Sequence, residues 1–277
     1  MKFTVLGSGS TGNAVLISSE TTHVLVDAGL SAREIVKRLA LVGVDCADLD
    51  AVVVTHEHSD HVGGLRVLLQ TIKCPVYISR ATEDAYYWTR AGGLNGDSEA
   101  SKRKEALKSR TEWIESSRGF TIGDIDFDPF SVPHDAVDNF GFVACHGGVK
   151  IATLMDFGCF TELIREMLEG CDALIVESNH SRDMLRTCSV YTWDLKQRIA
   201  SRHGHLSNED LADFLTKDFD GLAAHIVLAH LSQRANEPHL ARLTAEVALK
   251  MRPPLFATTS TAVSLSSPKE PTHWYTF

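Results

Sequence analysis

The first third of the chain alternates short apolar runs with turn residues. Phe3–Leu6, Asn13–Ser18, His23–Asp27 and Ala51–Thr55 are rich in Val, Leu and Ile and bounded by Gly, Ser or Asp, which predicts four strands. Between the last two lies Ser31–Leu39, where apolar residues recur at helical spacing behind a Ser-x-x-Glu opening, the pattern of a capped amphipathic helix. A helix from Gly63 to Gln70 and a strand over Pro75–Ile78 follow.

The pattern fails between about Thr82 and Arg118. Gly92-Gly93, Asn95-Gly96 and the basic Lys102-Arg103-Lys104 read there as an inserted helix-and-loop excursion, either a lid or a solvated surface. Periodicity returns with strands at Phe120–Ile122, Asp126–Pro129, Phe140–Cys145 and Lys150–Met155, a helix over Thr161–Glu169 and a strand at Ala173–Glu177. Helices at Asp194–Ser201 and Asn208–Leu215, a strand at His225–Ala229 and a helix from Pro238 to Leu249 complete the order. From Arg252 onward, Pro253-Pro254 and many Ser and Thr residues read as a weakly specified tail, and no repeat of fixed period is present.

A length of 277 residues and an apolar share of 44% suit a single α/β domain spanning 1–277. The net charge of -9 argues against a nonspecific nucleic-acid coat protein. It leaves open an enzyme that meets nucleic acid through a local basic surface or through metal ions. Met1–Leu6 runs directly into Gly7-Ser8-Gly9-Ser10, unlike the apolar core of a signal peptide, and no apolar run approaches the roughly 20 residues that span a bilayer. Six cysteines without a C-x-x-C pair suit reduced, buried thiols, so the expectation is a cytoplasmic protein with no membrane attachment.

Candidate chemistry concentrates after the fourth strand, at His56-Glu57-His58-Ser59-Asp60-His61. Imidazole and carboxylate are the ligands that borderline divalent ions prefer. Side chains two apart on an extended segment point the same way, so His56 and His58 are set to grip one ion while Asp60 and His61, where the chain turns, face a second. A solvated polar loop is the plain alternative; three histidines and an aspartate within six residues at a strand end speak against it. His134, Asp156 and His230 also stand immediately after predicted strands. Each alone reads equally well as a surface histidine or a turn cap; their shared placement sets them apart.

The cluster resembles the H-x-H-x-D-H motif of the metallo-β-lactamase superfamily, and Val26-Asp27-Ala28-Gly29 resembles that superfamily's V-D-x-G strand end. The resemblance implies a four-layer αββα sandwich with two divalent ions, zinc or manganese. It assigns His56, His58 and His134 to one ion, Asp60, His61 and His230 to the other, and Asp156 as the bridge. A pair of close cations supplies hydroxide near neutral pH and polarises the scissile group, which is the chemistry of hydrolysis.

Gly204-His205-Leu206-Ser207-Asn208 bears on the substrate. Read plainly, Ser207 or Asn208 caps a helix. The segment also resembles the G-H-x-S motif of the superfamily's nuclease branch, where such a histidine lies by the scissile phosphate and stabilises charge or protonates the leaving oxygen. Together with Gly7–Ala14, Pro133–Ala136, Glu177–His180 and Ala229–Ser232, it is similar to the YycJ/WalJ family of 5′-to-3′ exonucleases. DNA is the substrate so implied, with RNA as the alternative polynucleotide. Asp60, Asp156 and His205 are then the catalytic candidates, and Ser207, Asn208, Ser8 and Ser10 the substrate-binding ones. Gly7–Ser10 reads either as a backbone cradle for phosphate or as a tight turn. Glu177, Asn179 and His180 are expected to support the ligands, and Tyr191, Trp193, Arg198 and Arg202 either meet a nucleic-acid strand or pack a helix on the core. The Thr82 to Arg118 excursion departs from the shorter connection expected in that family. Two rival functions stay open: hydrolysis of a lactone, thioester or other small ester, and binding without catalysis on an inherited hydrolase fold.

Overall fold

The computed structural model describes residues 1–90, 108–252 and 260–277. Strands β1 (Lys2–Gly7), β2 (Ala14–Ser18) and β3 (His23–Val26) form an antiparallel meander, and β4 (Ala51–Val53), β5 (Val76–Ile78) and β6 (Thr111–Trp113) extend it in parallel. The second sheet repeats the plan: β7 (Phe120–Ile122), β8 (Ile125–Ser131), β9 (Phe140–His146) and β10 (Val149–Leu154) run antiparallel, then β11 (Ala173–Glu177), β12 (His225–Ala229) and β13 (Ala262–Leu265) run parallel. With β14 (Tyr275–Thr276) beside β1, each sheet has seven strands among the described residues.

Strand alternation sorts the side chains into layers. On β3, Leu25 faces Ile35 and Leu39 of helix α1 (Ala32–Leu41), while Val24 and Val26 enter the space between the sheets with Phe127, Phe142 and Ile175. On β11, Leu174 and Val176 face a helical layer that includes Phe214 and Ala245. These three apolar clusters are the three interfaces of helix, sheet, sheet and helix. Strands buried on both faces read as continuous apolar runs, which is why the sequence marks them clearly. Ser31 caps α1 as expected, its Oγ accepting from Glu34 N at 3.3 Å.

Several elements depart from the sequence expectation. The helix expected from Gly63 begins earlier, inside the histidine motif, as α2 (Ser59–Val62), and resumes after Gly63-Gly64 as α3 (Leu65–Leu68). The start and end of the supposed excursion are regular: α4 (Arg80–Arg90) buries Tyr86 in the first helical layer, and β6 closes the sheet. The intervening residues 91–107, with the Gly-Gly, Asn-Gly and basic segments, lie outside the described residues. The tail is also more structured than expected, since β13 pairs with β12 and β14 with β1. Arg38 anchors the chain between them through Pro268 O at 3.0 Å. Beyond α5 (Glu162–Leu168), the second helical side holds α6 (Arg182–Thr187), α7 (Trp193–Ile199), α8 (Asn208–Lys217) and α9 (Pro238–Met251); α6 was not anticipated. Among the described residues no helix is long and apolar enough to cross a membrane.

Away from the His56–His61 motif, in the turn between β7 and β8, Asp124 ties the two sheets together. Its carboxylate accepts from Ser19 Oγ at 2.6 Å and Thr21 Oγ1 at 3.1 Å. Hydrogen bonds from Ser19 and Thr22 hold its pKa down at about 2. A depressed pKa stabilises the fold above the unfolded carboxylate value and loses that contribution as pH falls through the folded one. Asp124→Ala should therefore cost about 1 kcal/mol or less, the side chain being partly solvated. Denaturant melts should show this gap at neutral pH and its closure as pH falls from about 4 toward about 2; equal midpoints at neutral pH would remove Asp124 from the stabilising contacts.

Candidate metal centre

The parallel strands of both sheets deliver their C-terminal ends to one edge of the sandwich, the usual place for a site in open α/β sheets. Three of the four non-glycine residues with positive φ among the described residues lie there: Asp27 (63°), Asp156 (56°) and His230 (51°). Such backbone is uncommon outside glycine and persists where surrounding contacts hold it. Each residue lies within two positions of the end of a buried strand, so the turn swings its side chain across the strand ends. Asp27 then accepts from Thr55 N at 2.9 Å and from His61 Nδ1 at 2.7 Å. Behind the motif the backbones touch, with Asn13 N bonded to Asp60 O at 2.7 Å and Ala28 N to His61 O at 2.8 Å. A Cβ on Gly29 would stand 1.6 Å from Asp60 O, which explains the glycine in Val26-Asp27-Ala28-Gly29.

All seven residues expected as metal ligands converge. Candidate ligand atoms of His56, His58 and His134 lie within 4.8 Å of one another, as do those of Asp60, His61, Asp156 and His230. Neighbours fix the imidazoles. His61 Nδ1 donates to Asp27, His56 Nδ1 meets Thr55 Oγ1 at 2.9 Å, His134 Nδ1 donates to Gly204 O at 3.1 Å, and His230 Nδ1 donates to Glu177 Oε1 at 2.8 Å. Each ring is thereby left with Nε2 as a lone pair, the tautomer a metal requires. His58 differs by presenting Nδ1, 3.3 Å from His134 Nε2.

The donor set fits a pair of cations. His56 Nε2 and His230 Nε2 are buried without a hydrogen-bond partner among the described residues, and the buried Asp156 carboxylate faces imidazole nitrogens on both oxygens. Yet Asp156 Oδ2 lies 3.7 Å from His56 Nε2 and against His61 Nε2, and His230 Nε2 lies 3.3 Å from Asp60 Oδ2. Buried polar atoms left unsatisfied are costly, and facing lone pairs need a positive charge between them. Burial alone would raise the Asp156 pKa, but His230 and His61 hold it well below the usual carboxylate range; burial, then His61, push His56 the other way, well below an ordinary imidazole. A third grouping joins Asp156 and His230 to Glu177 and His205. Glu177 is fully buried, with Oε1 bonded to His205 and His230 and Oε2 to the backbone N–H groups of Phe157 and Leu206. With both oxygens engaged, it orients its two histidines instead of offering a ligand atom.

A cleft of about 230 Å³ opens over His58, Asp60 and His205. His205 Nδ1 meets Glu177 Oε1 at 2.8 Å, and its Nε2 has no hydrogen-bond partner among the described residues. Burial works against charge on this ring, but Glu177 and Asp156 outweigh it and raise the pKa to about 10. Gly204 is required before it, because a Cβ there would stand 2.2 Å from Arg198 O at the end of α7.

The residues expected to touch substrate divide. Ser10 is exposed and lines the cleft. Ser8 does not: it is buried, donating to Asn13 Oδ1 and accepting from His230 N, both at 2.8 Å. Ser207 is likewise buried and caps α8, accepting from Asp210 N at 3.0 Å, and buried Asn208 bonds to Ser178 and Asn236. Hydroxyl and amide groups serve turns as readily as ligands, and burial assigns these three to the turns. Asn179, expected as a support, donates to His230 O at 2.9 Å. Sequence reasoning gave no role to Thr55 or Asn13, although Asn13 stood in a quoted motif; its Nδ2 lies 3.0 Å from His61 Nε2.

The family model of the metallo-beta-lactamase superfamily matches residues 7–148. The chain is 36% identical over 244 residues to the exodeoxyribonuclease WalJ of Streptococcus pneumoniae, covering 88% of this chain and 86% of that protein. It is 34% identical over 251 residues to the exodeoxyribonuclease YycJ of Bacillus anthracis, covering 90% and 89%. The metallo-beta-lactamase fold protein YhfI of Bacillus subtilis superposes with a TM-score of 0.68 at 18% identity over 98% of each chain, a likeness of fold.

Proposed function

The chain belongs to the metallo-beta-lactamase superfamily and, within it, to the family of the WalJ and YycJ exodeoxyribonucleases; from that premise we propose that it is a metal-dependent phosphodiesterase that degrades DNA from the 5′ end. His56, His58 and His134 would hold one divalent ion and Asp60, His61 and His230 a second, with Asp156 between them, zinc or manganese being the ions such a donor set accepts. Bound there, the pair supplies hydroxide near neutral pH and neutralises phosphate oxygens.

The chain's own residues then have distinct tasks. Asp27, Thr55, Gly204 O and Glu177 hold the histidine rings in one tautomer and orientation. Asp60 turns its carboxylate toward both His61 and His230. His205, positioned by Glu177, offers Nε2 to the cleft, where it would donate to the leaving oxygen or to a phosphate oxygen. The cleft-facing Nε2 of His205, beside the dinuclear donor set, is the observation that carries the reading, because a proton donor placed there suits an anionic ester whose leaving alkoxide needs a proton. Six cysteines without a disulfide support a cytoplasmic setting.

A substrate panel on one purified, metal-loaded preparation checks the class. Linear 5′-phosphorylated DNA should be shortened with early release of a 5′ label as mononucleotide, ahead of RNA of the same sequence. Lactones, thioesters and β-lactams should remain intact. Turnover of the small esters with no cleavage of either polynucleotide would replace this reading with the small-substrate one.

A further inference from the structure

Helix α7 buries none of its residues, so packing on the core does not account for its sequence. It stands as a wall between two cavities. Tyr191, Leu195, Arg198 and Ile199 line the cleft over the metal-capable cluster. Trp193, Lys196, Gln197 and Ala200, at helical spacing on the other face, line a second cavity of about 520 Å³. The two share one residue, His205.

The second cavity has the chemistry of a strand-binding site. The stretch from Arg182 to Arg202 carries five basic residues, Arg182, Arg186, Lys196, Arg198 and Arg202, against Asp183 and Asp194, in a chain whose net charge is -9. Four of the five line the cavity, where Asp210 is the one acid among the described residues. Arg182 is held by Asp210 and Arg186 by Asp183, whereas Arg202 has no ion-pair partner among the described residues. Trp193 is 68% exposed, a large aromatic face with no core to cover it. His180 lines the same cavity at 2% exposure, and its buried Nδ1 has no hydrogen-bond partner among the described residues. An unsatisfied buried imidazole, an open indole and a local excess of cations match a polyanion with stacking bases.

We propose that this cavity holds the DNA strand beyond the scissile phosphodiester, with a base stacked on Trp193, a phosphate against Arg202 and Arg186, and the nucleotide hydrogen-bonded to His180. The occupancy presupposes the phosphodiesterase reading above. It makes α7 a ridge over which the strand bends, with His205 at the crossing. The contacts to Trp193 and Arg202 are assigned to nucleotides beyond the dinucleotide that spans the scissile bond, so they contribute only on longer strands.

The test compares Trp193→Ala, Trp193→Phe and Arg202→Glu with the parent protein on 5′-phosphorylated dinucleotides and on longer single strands. Both positions are exposed, and thermal melts confirm that each variant folds. On longer strands Trp193→Ala and Arg202→Glu should raise KM on the order of 10-fold or more, with kcat changed far less. Trp193→Phe should retain most of the affinity, and Arg202→Glu should flatten the salt dependence by about one phosphate contact or more. On dinucleotides the KM differences should collapse. Parent-like KM and salt slope on long strands in both Trp193→Ala and Arg202→Glu would overturn the proposal while leaving the phosphodiesterase intact. A parent protein that cleaves small esters and no polynucleotide would overturn both.

Discussion

Asp156→Asn should lower DNA turnover by ~10³-fold or more and reduce bound metal from two ions per chain to one or none. Asp156 is 1% exposed and approaches members of both histidine groups, with Oδ2 beside His56 and His61 and Oδ1 2.6 Å from His230 Nδ1. The amide preserves shape and removes the charge, so the two ions lose the anion that offsets their mutual repulsion. Asp156→Asn and Asp156→Ala should both also cost about 3–5 kcal/mol of stability in the metal-free protein, because removing the charge breaks a buried ion pair and strands its partners. Elemental analysis and single-turnover cleavage on the same sample provide the check. Two ions per chain with parent-like turnover in Asp156→Asn would remove Asp156 as the bridge.

His205→Ala should behave differently, lowering kcat by about 10²–10⁴-fold while leaving metal content intact. The separation follows from position: Glu177 engages His205 Nδ1, and Nε2 faces the cleft without a partner among the described residues. The loss should be largest for a DNA phosphodiester, whose alkoxide leaves only with a proton, and small for bis(p-nitrophenyl) phosphate, whose phenolate leaves without one. A folded-state pKa of about 10 keeps His205 protonated below that value. Its step therefore has an alkaline limb at or below about 10, drawn lower by cations beside Asp156. The limb should vanish in His205→Ala. An equal loss on both substrates, or a loss of metal, would make His205 a structural residue.

Most of the sandwich was legible because its strands are buried on both faces and carry unbroken apolar runs, as β3 and β11 do. The missed strands are short edge elements: Thr111–Trp113, Ala262–Leu265 and Tyr275–Thr276 take their order from one neighbouring strand each. Two to four residues carry no readable period, so tertiary pairing decides them. At the site, the gathering of the seven candidate ligands at one edge was legible, since each lies on the segment that follows the C-terminal end of a strand. The directions of Ser8, Ser207 and Asn208 were not, because their cap and turn bonds look the same in sequence as contacts to substrate. Trp193 was ambiguous for the complementary reason: helical spacing implies a packed face, and only the fold reveals that α7 has no buried residue.

The central claim is that these seven residues would hold two divalent ions and that the site so loaded would cleave the phosphodiester. Its most direct measurement is elemental analysis coupled to DNA cleavage while one metal-free preparation is titrated with zinc or manganese. Activity should rise to a plateau at two ions per chain and disappear on chelation; full cleavage by a metal-free chain, or none at two ions per chain with either metal, would contradict it.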